Sequence, residues 1–281
     1  MGGNRIWFIT GISSGFGRHM TEQLLERGDH VAGTVRKMDS VADLEAKYPD
    51  RLWLACLDVT DAAAIKEVVN RAFKELGRID VIVNNAGYGL FGAAEELTDE
   101  QILHQINTNL LGPIHVIRAA LPHLRTQGGG RIIQLSTYGG QAAVPGGSLY
   151  HTTKWGIEGF CDTMAGELAP FNIGVTIVEP GGARTEFRYG GSKVGQPLDA
   201  YKGTPAGNVH VFLKDTSRLP IGDPAQMVKL MIDSVDQTPA PKRLVLGSDS
   251  YKAIQKALTD RLAAVEAQRD IAFSTDFPTG A

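Results

Sequence analysis

A chain of 281 residues, 43% hydrophobic and 21% charged, can bury a full core and excludes the disordered and membrane-embedded classes. A net charge of -3 with no basic stripe excludes nucleic acid as the main partner. No stretch has the length and apolarity of a membrane span or the layout of a secretory signal, so a cytoplasmic protein without a membrane partner is expected.

In chain order, the apolar run at residues 5–9 leads into Thr10-Gly11-Ile12-Ser13-Ser14-Gly15-Phe16-Gly17 and then a helical pattern at Met20, Leu24 and Leu25. Strand, glycine turn and helix is the order of a phosphate cradle. Glycine permits positive φ and close backbone approach, and the helix start offers unpaired N–H groups. The second strand, from His30, ends at Val35-Arg36-Lys37, with two cations and no acid. In dinucleotide folds an acid near this point bonds a ribose 2'-hydroxyl, whereas arginine accommodates a 2'-phosphate, so the pattern points to NADP(H). A third run over 52–57 ends in Asp58-Val59-Thr60-Asp61, where Thr60 or Asp61 can cap the next helix. The fourth, 79–83, ends in Asn84-Asn85-Ala86-Gly87, whose asparagines can tie adjacent strands together.

A helical pattern from Asp99 runs through Ile102, Ile106, Leu110, Ile114, Ile117, Leu121 and Leu124, with Asn109 inside it. A fifth strand, 131–137, ends in Ser136-Thr137. Tyr150 and Lys154 follow, spaced i and i+4 on one helical face. A nearby ammonium favours phenolate, so this pair suits proton exchange near neutral pH. A sixth strand, 174–178, leads to Pro180-Gly181-Gly182-Ala183-Arg184-Thr185. The glycine-rich stretch 186–221 lacks a period and reads as a lid loop over the substrate. Pro224 opens a helix, 242–246 is a seventh strand, and 249–271 a C-terminal helical extension; the last ten residues carry no pattern. Cys56 and Cys161 lie in apolar contexts and are expected as reduced core thiols. The seven histidines have no ligand-like spacing, so no metal site is expected.

Alternating strands and helices predict a single α/β domain over 1–281, with a doubly wound, seven-stranded parallel sheet, helices on both faces and the site at the carboxyl ends of the strands. Together, Thr10-Gly11-x-x-x-Gly15-x-Gly17, Asn84-Asn85-Ala86-Gly87, Asn109, Ser136-Thr137, Tyr150-x-x-x-Lys154 and Pro180-Gly181-x-x-x-Thr185 resemble the short-chain dehydrogenase/reductase family over about residues 4–247. The length and C-terminal helix look most like its hydroxysteroid and retinol dehydrogenase-like branch.

The resemblance implies a Rossmann-like fold, hydride transfer between a nicotinamide and a carbonyl or alcohol, Tyr150 as general acid/base, Lys154 beside it and on the nicotinamide ribose, and Asn109 holding a relay water. A hydroxyl of Ser136 or Thr137 would orient the substrate. Family spacing favours Thr137, and neighbouring strand side chains point to opposite faces. The resemblance places the cofactor against Gly11, Ser13, Ser14, Gly15, Phe16, Gly17, Asp58, Val59, Asn84, Ala86, Gly87, Pro180, Gly181, Ala183 and Thr185, alongside Arg36 and Lys37. Leu90, Phe91, Gln141, Val144, Phe187 and Tyr189 are candidate pocket residues for a largely apolar carbonyl or alcohol. A homodimer or homotetramer is expected. The alternative is a catalytically silent NADP-binding sensor or assembly module.

Overall fold

The computed structural model describes residues 4–215 and 217–277, without the side chains of residues 188 and 189. Apolar runs that do not alternate suit strands covered on both faces, and seven of them form one wholly parallel sheet: β1 (Ile6–Thr10), β2 (His30–Val35), β3 (Leu52–Cys56), β4 (Val81–Asn84), and, beyond the short β5 (Gly89–Phe91), β6 (Gly130–Leu135), β7 (Ile173–Pro180) and, after β8 (Ser192–Val194), β9 (Arg243–Leu246). The order is β3-β2-β1-β4-β6-β7-β9. In β1 the side chains alternate between two cores. Trp7 and Ile9 pack beside Val81 and Val83, while Phe8 packs beside Ile82 and Ile132.

The first of these cores lies under α1 (Gly15–Arg27) and α9 (Pro224–Asp233). The second lies under α3 (Ala62–Leu76), α5 (Gly112–Thr126) and α6 (Ser148–Leu168). The strand order reverses between β1 and β4, and a ligand crevice belongs there, at the carboxyl ends. Short helices α2 (Ala42–Lys47), α4 (Asp99–Ile106), α7 (Glu186–Tyr189) and α8 (Asn208–Lys214) fill connections, and α10 (Ser248–Glu266) and α11 (Arg269–Phe273) close the chain. Asp61, not Thr60, caps α3, accepting from Ala63 and Ala64 N–H, and Asp223 caps α9 in the same way ahead of Pro224.

The structure departs from the sequence expectations at four places. The helix from Asp99 is interrupted by a π-helical turn over Asn107–Leu111, where the Gly112 N–H reaches Asn107 O. Pro113 has no N–H to give the Asn109 carbonyl, which removes the regular i to i+4 bond there. The stretch 186–221 is not a bare loop. It carries α7, α8 and β8, and β8 pairs in parallel with β5 as a separate small sheet. Cys56 is exposed because β3 is an edge strand, whereas Cys161 is buried as expected. The chain end is helical to Phe273, and residues 278–281 lie outside the described set. Only Ser250 and Ile254 of α10 are buried, and further along the helix Arg261 still reaches Gln141 and the Trp155 ring.

Candidate active site

The glycine turn is shaped by contacts that exclude side chains. Gly11 and Gly15 have φ of 74° and 56°, and a Cβ on Gly17 would lie 2.3 Å from the Gly11 carbonyl oxygen. The Thr10 hydroxyl accepts the N–H groups of Asn85 and Ala86 at 3.1 and 3.0 Å, and the Asn85 amide donates to the Thr10 and Gly11 carbonyls at 2.9 Å. The first and fourth strand ends are thus stapled together. Asn84, by contrast, turns its side chain inward toward Pro113 O, leaving only its backbone and Ala86 toward the crevice. No side chain caps α1, so its first N–H groups face a cleft of about 480 Å³ lined by Ser13, Ser14, Gly15 and Thr185.

Arg18, His19 and Arg184 also line this cleft, and sequence reading missed all three, because a helix position and a loop position meet only in the fold. Arg18 is already paired with Glu22 and Asp43, which raises its pKa. Arg36 and Lys37 are exposed at the end of β2, and Val35 is buried among core residues. Asp58 is held below the usual carboxyl range by the Thr60 N–H, with Arg36 adding to the effect, while Val59 packs against Gly112. Gly181 gives its N–H to Leu246 O, and its Cα faces Asp249 so closely that a Cβ would lie 2.0 Å from Oδ1. Ala183 bridges to Gly222. The crevice thus offers glycine backbone, unpaired N–H groups and nearby cations, which fits a dinucleotide pyrophosphate.

At its inner end, Tyr150 and Lys154 are both buried on one face of α6. Lys154 Nζ donates to Leu135 O at 2.8 Å and lies 5.8 Å from the centre of the Tyr150 ring. The Thr137 hydroxyl is near enough to the Tyr150 phenol to lower its pKa, and it donates to Pro180 O at 3.3 Å. Ser136 points the other way and donates to Glu158 Oε1 at 2.5 Å. The alternation along the strand end therefore places Thr137 beside the tyrosine and Ser136 behind it. Asn109 is locked in the π turn, its Oδ1 accepting Tyr88 N–H at 3.1 Å and its Nδ2 donating to Tyr88 O at 2.8 Å. Gly87 sits against Asn109 Oδ1.

The charges differ from the sequence expectation in one respect. Burial raises the Tyr150 pKa, as does the nearby Tyr138, and only the neighbouring Thr137 hydroxyl opposes them. Lys154 is pushed down to about 8 by burial, against the pull of Glu158. In the pair as it stands, desolvation is the largest influence on the phenol.

Of the pocket candidates, Phe91 and Phe187 flank Tyr150, with ring centres 5.3 and 5.9 Å away. Val144 is exposed on the turn before α6. Leu90 is instead fully buried, since the pairing of β5 with β8 turns it into the protein. Gln141 is held away from the crevice by Glu179 and Arg261. The side chain of Tyr189 lies outside the described set. Among the described residues, no cluster of three metal-ligating side chains occurs, and no helix is long and apolar enough to cross a membrane.

The model of the short chain dehydrogenase family matches residues 5–192. The chain belongs to this family. A relative from Botryotinia fuckeliana, named oxidoreductase BOA17, is 34% identical over 96% of this chain and 99% of its own. A short-chain dehydrogenase crystal structure from Streptomyces avermitilis superposes with a TM-score of 0.91 at 36% identity, over 99% of this chain and 100% of that one. An alcohol dehydrogenase from the archaeon Thermococcus sibiricus, solved with 5-hydroxy-NADP, gives 0.70 at 25% identity, over 87% of this chain and 96% of that one. As a short-chain dehydrogenase, the chain is an oxidoreductase.

Proposed function

We propose that this enzyme interconverts a ketone or aldehyde and an alcohol with NADP(H), using Tyr150 as general acid/base. The observation that carries the reading is the convergence of Tyr150, Lys154 and Thr137 at the carboxyl ends of β6 and β7, beside the glycine cradle at the sheet's switch point. The cofactor supplies the hydride when bound. Gly11 to Gly17 and the start of α1 hold its phosphates, Arg36 and Lys37 take the 2'-phosphate, and the segment from Pro180 to Thr185 borders the nicotinamide. This assignment is supported by the NADP-type ligand of the archaeal relative.

In the reducing direction, Tyr150 gives its proton to the substrate oxygen while Thr137 donates a hydrogen bond to the same oxygen. Lys154 holds the ribose and, with its charge, favours the phenolate left behind. The Asn109 carbonyl, which Pro113 cannot serve, supports a water on the path that returns the proton. Phe91 and Phe187 make the walls beside Tyr150 aromatic, which suits a largely apolar substrate. The segment 186–221 covers it as a lid, and exposed Leu111, Trp155 and Phe171 fit a homodimer or homotetramer.

The test is a panel of ketones, aldehydes and secondary alcohols followed by cofactor absorbance, with Tyr150→Phe alongside. Turnover should fall about 100- to 10,000-fold in the variant while NADPH still binds. NADPH binding with no turnover on any substrate would leave a silent binding module, and near-normal turnover by Tyr150→Phe would remove the tyrosine from its role.

A further inference from the structure

Three consecutive residues at the end of β6 meet three turns of α6. Leu135 O takes the Lys154 ammonium, Ser136 gives its hydroxyl to Glu158, and Thr137 lies beside Tyr150. Glu158 is one turn beyond Lys154 on the same face, and it is buried. The neighbouring loop is cut to fit it, for a Cβ on Gly140 would lie 1.8 Å from Glu158 Oε1. Behind it lies a second buried carboxylate, Glu179, whose Oε1 accepts Gln141 at 2.9 Å and Arg243 at 3.0 Å, and whose Oε2 has no hydrogen-bond partner. The same Arg243 reaches Glu158 Oε2 at 3.5 Å and Asp162 at 2.5 Å. One guanidinium therefore serves three carboxylates, two of them out of water.

We propose that Glu158 is a positioning residue for the Tyr150 and Lys154 pair: it anchors Ser136 so that Thr137 faces the tyrosine, and its charge supports the Lys154 ammonium. The proposal rests on the catalytic reading above. Glu158 is faced by Lys154, Cys161 and Asp162 of its own helix, by Ser136 at the end of β6, by Glu179 of β7 and Arg243 of β9. Arg261 of α10 lies one bond further, through Gln141. Burial pushes Glu158 up to about 7; Ser136 and Arg243 oppose the rise, and the like charge of Glu179 adds to it. A carboxyl on the edge of ionisation beside a lysine held near 8 means that a charge change at Glu158 is felt at Lys154.

The geometry gives two substitutions with unequal effects. Glu158→Gln keeps an oxygen for Ser136 and removes the charge, so Lys154 should lose its proton at lower pH than in the wild type. Glu179→Gln keeps an oxygen for Gln141 and Arg243 and removes the competing charge. Glu158, already mostly ionised where Lys154 titrates, keeps its charge, so Lys154 should titrate close to the wild-type pH. General damage from the loss of a buried carboxylate in this cluster would move both variants alike. The readout is the Lys154 titration in protein labelled at the lysine ε-carbons, assigned by its loss in Lys154→Arg, together with the alkaline limb of kcat for NADPH oxidation. The NMR titration needs no turnover, so failure of the positioning role and failure of the catalytic reading are separable. A downward shift in Glu158→Gln without one in Glu179→Gln would support the proposal. The same downward shift in both, or none in Glu158→Gln, would overturn it. Should Glu158→Gln not fold, Glu158→Asp, which keeps the charge and draws it back by one methylene, should still lower the Lys154 titration, and no shift there overturns the proposal.

Discussion

Glu96 should decide whether the proposed lid, 186–221, stays shut. This buried carboxylate follows β5 and accepts the Leu198 N–H at 2.9 Å and His210 Nε2 at 2.8 Å, both from the lid, and its own Ala93 N–H at 2.8 Å. A hydrogen bond to a charged group contributes about 1.5–3 kcal/mol, so the two lid bonds together contribute about 3–6 kcal/mol toward closure. Glu96→Ala should then favour the open lid by about 100- to 10,000-fold, and Glu96→Gln, which keeps one acceptor oxygen, by less. Amide hydrogen exchange over residues 192–214 reads the opening directly, with the strands of the main sheet as internal control.

The sign with pH follows from the carboxyl. Burial alone would raise its pKa, but the bonds from His210, Leu198 and Ala93 outweigh it and leave it below the ordinary 4.5. Its contribution is complete above that value and is lost as the pH falls through the lower folded value. Unchanged protection of 192–214 in a folded Glu96→Ala protein would refute the reasoning.

Thr137→Val, which keeps the shape and removes the hydroxyl, should lower kcat by about 10- to 100-fold through loss of one hydrogen bond to the reacting oxygen; equal losses at Thr137→Val and Ser136→Ala under the same assay would mean that the two hydroxyls are not distinguished. Wild type should prefer NADPH to NADH by about tenfold to a hundredfold, since each charge-assisted bond to the 2'-phosphate contributes about 1.5–3 kcal/mol. Replacing Arg36 and Lys37 by serine should erase that ratio, and a wild type that used NADH equally well would defeat the argument. Val35 is unsuited to an added acid because it is buried. Gly17→Ala should weaken NADPH in a fluorescence titration and lower Tm, because its Cβ would also lie 2.5 Å from the Asn85 amide that holds the turn together; an unaltered Kd would show that the turn can yield without consequence.

The apolar runs gave all seven strands of the main sheet, because a parallel strand covered on both faces must be apolar almost throughout. The site motifs were legible for a related reason: glycines with positive φ and an i, i+4 pair are local. What was hidden depends on contacts distant in the chain. β5 and β8 are three residues each and contain Gly89, Ser192 and Lys193, so no periodicity marks them, and they exist only because the two segments meet. Ser136 and Thr137 could not be separated by composition, since the difference is which face Glu158 and Tyr150 occupy. Burial does not follow the apolar stripe from Ile102 to Leu124 throughout. Leu110, Ile114 and Leu121 are half-buried, while Gln105, Thr108 and Asn109 are buried. The π turn shifts the phase of the helix before it.

That turn makes the chain tolerant of length in an unusual place. A π turn is an α-helix with one residue too many, so removing one residue between 107 and 111 would leave a helix regular except for the N–H that Pro113 lacks, rather than a gap. The cost would fall elsewhere. Everything from Asp99 to the deletion would rotate by about 100° relative to α5, since 3.6 residues make a turn. Gln105, which donates to Tyr88 O at 3.1 Å, and Asn109 would be carried off the Tyr88 backbone together. A length variant at this point would therefore keep its helix content while its crevice lost shape, and the surplus residue can be counted as part of the active site even though no single side chain accounts for it.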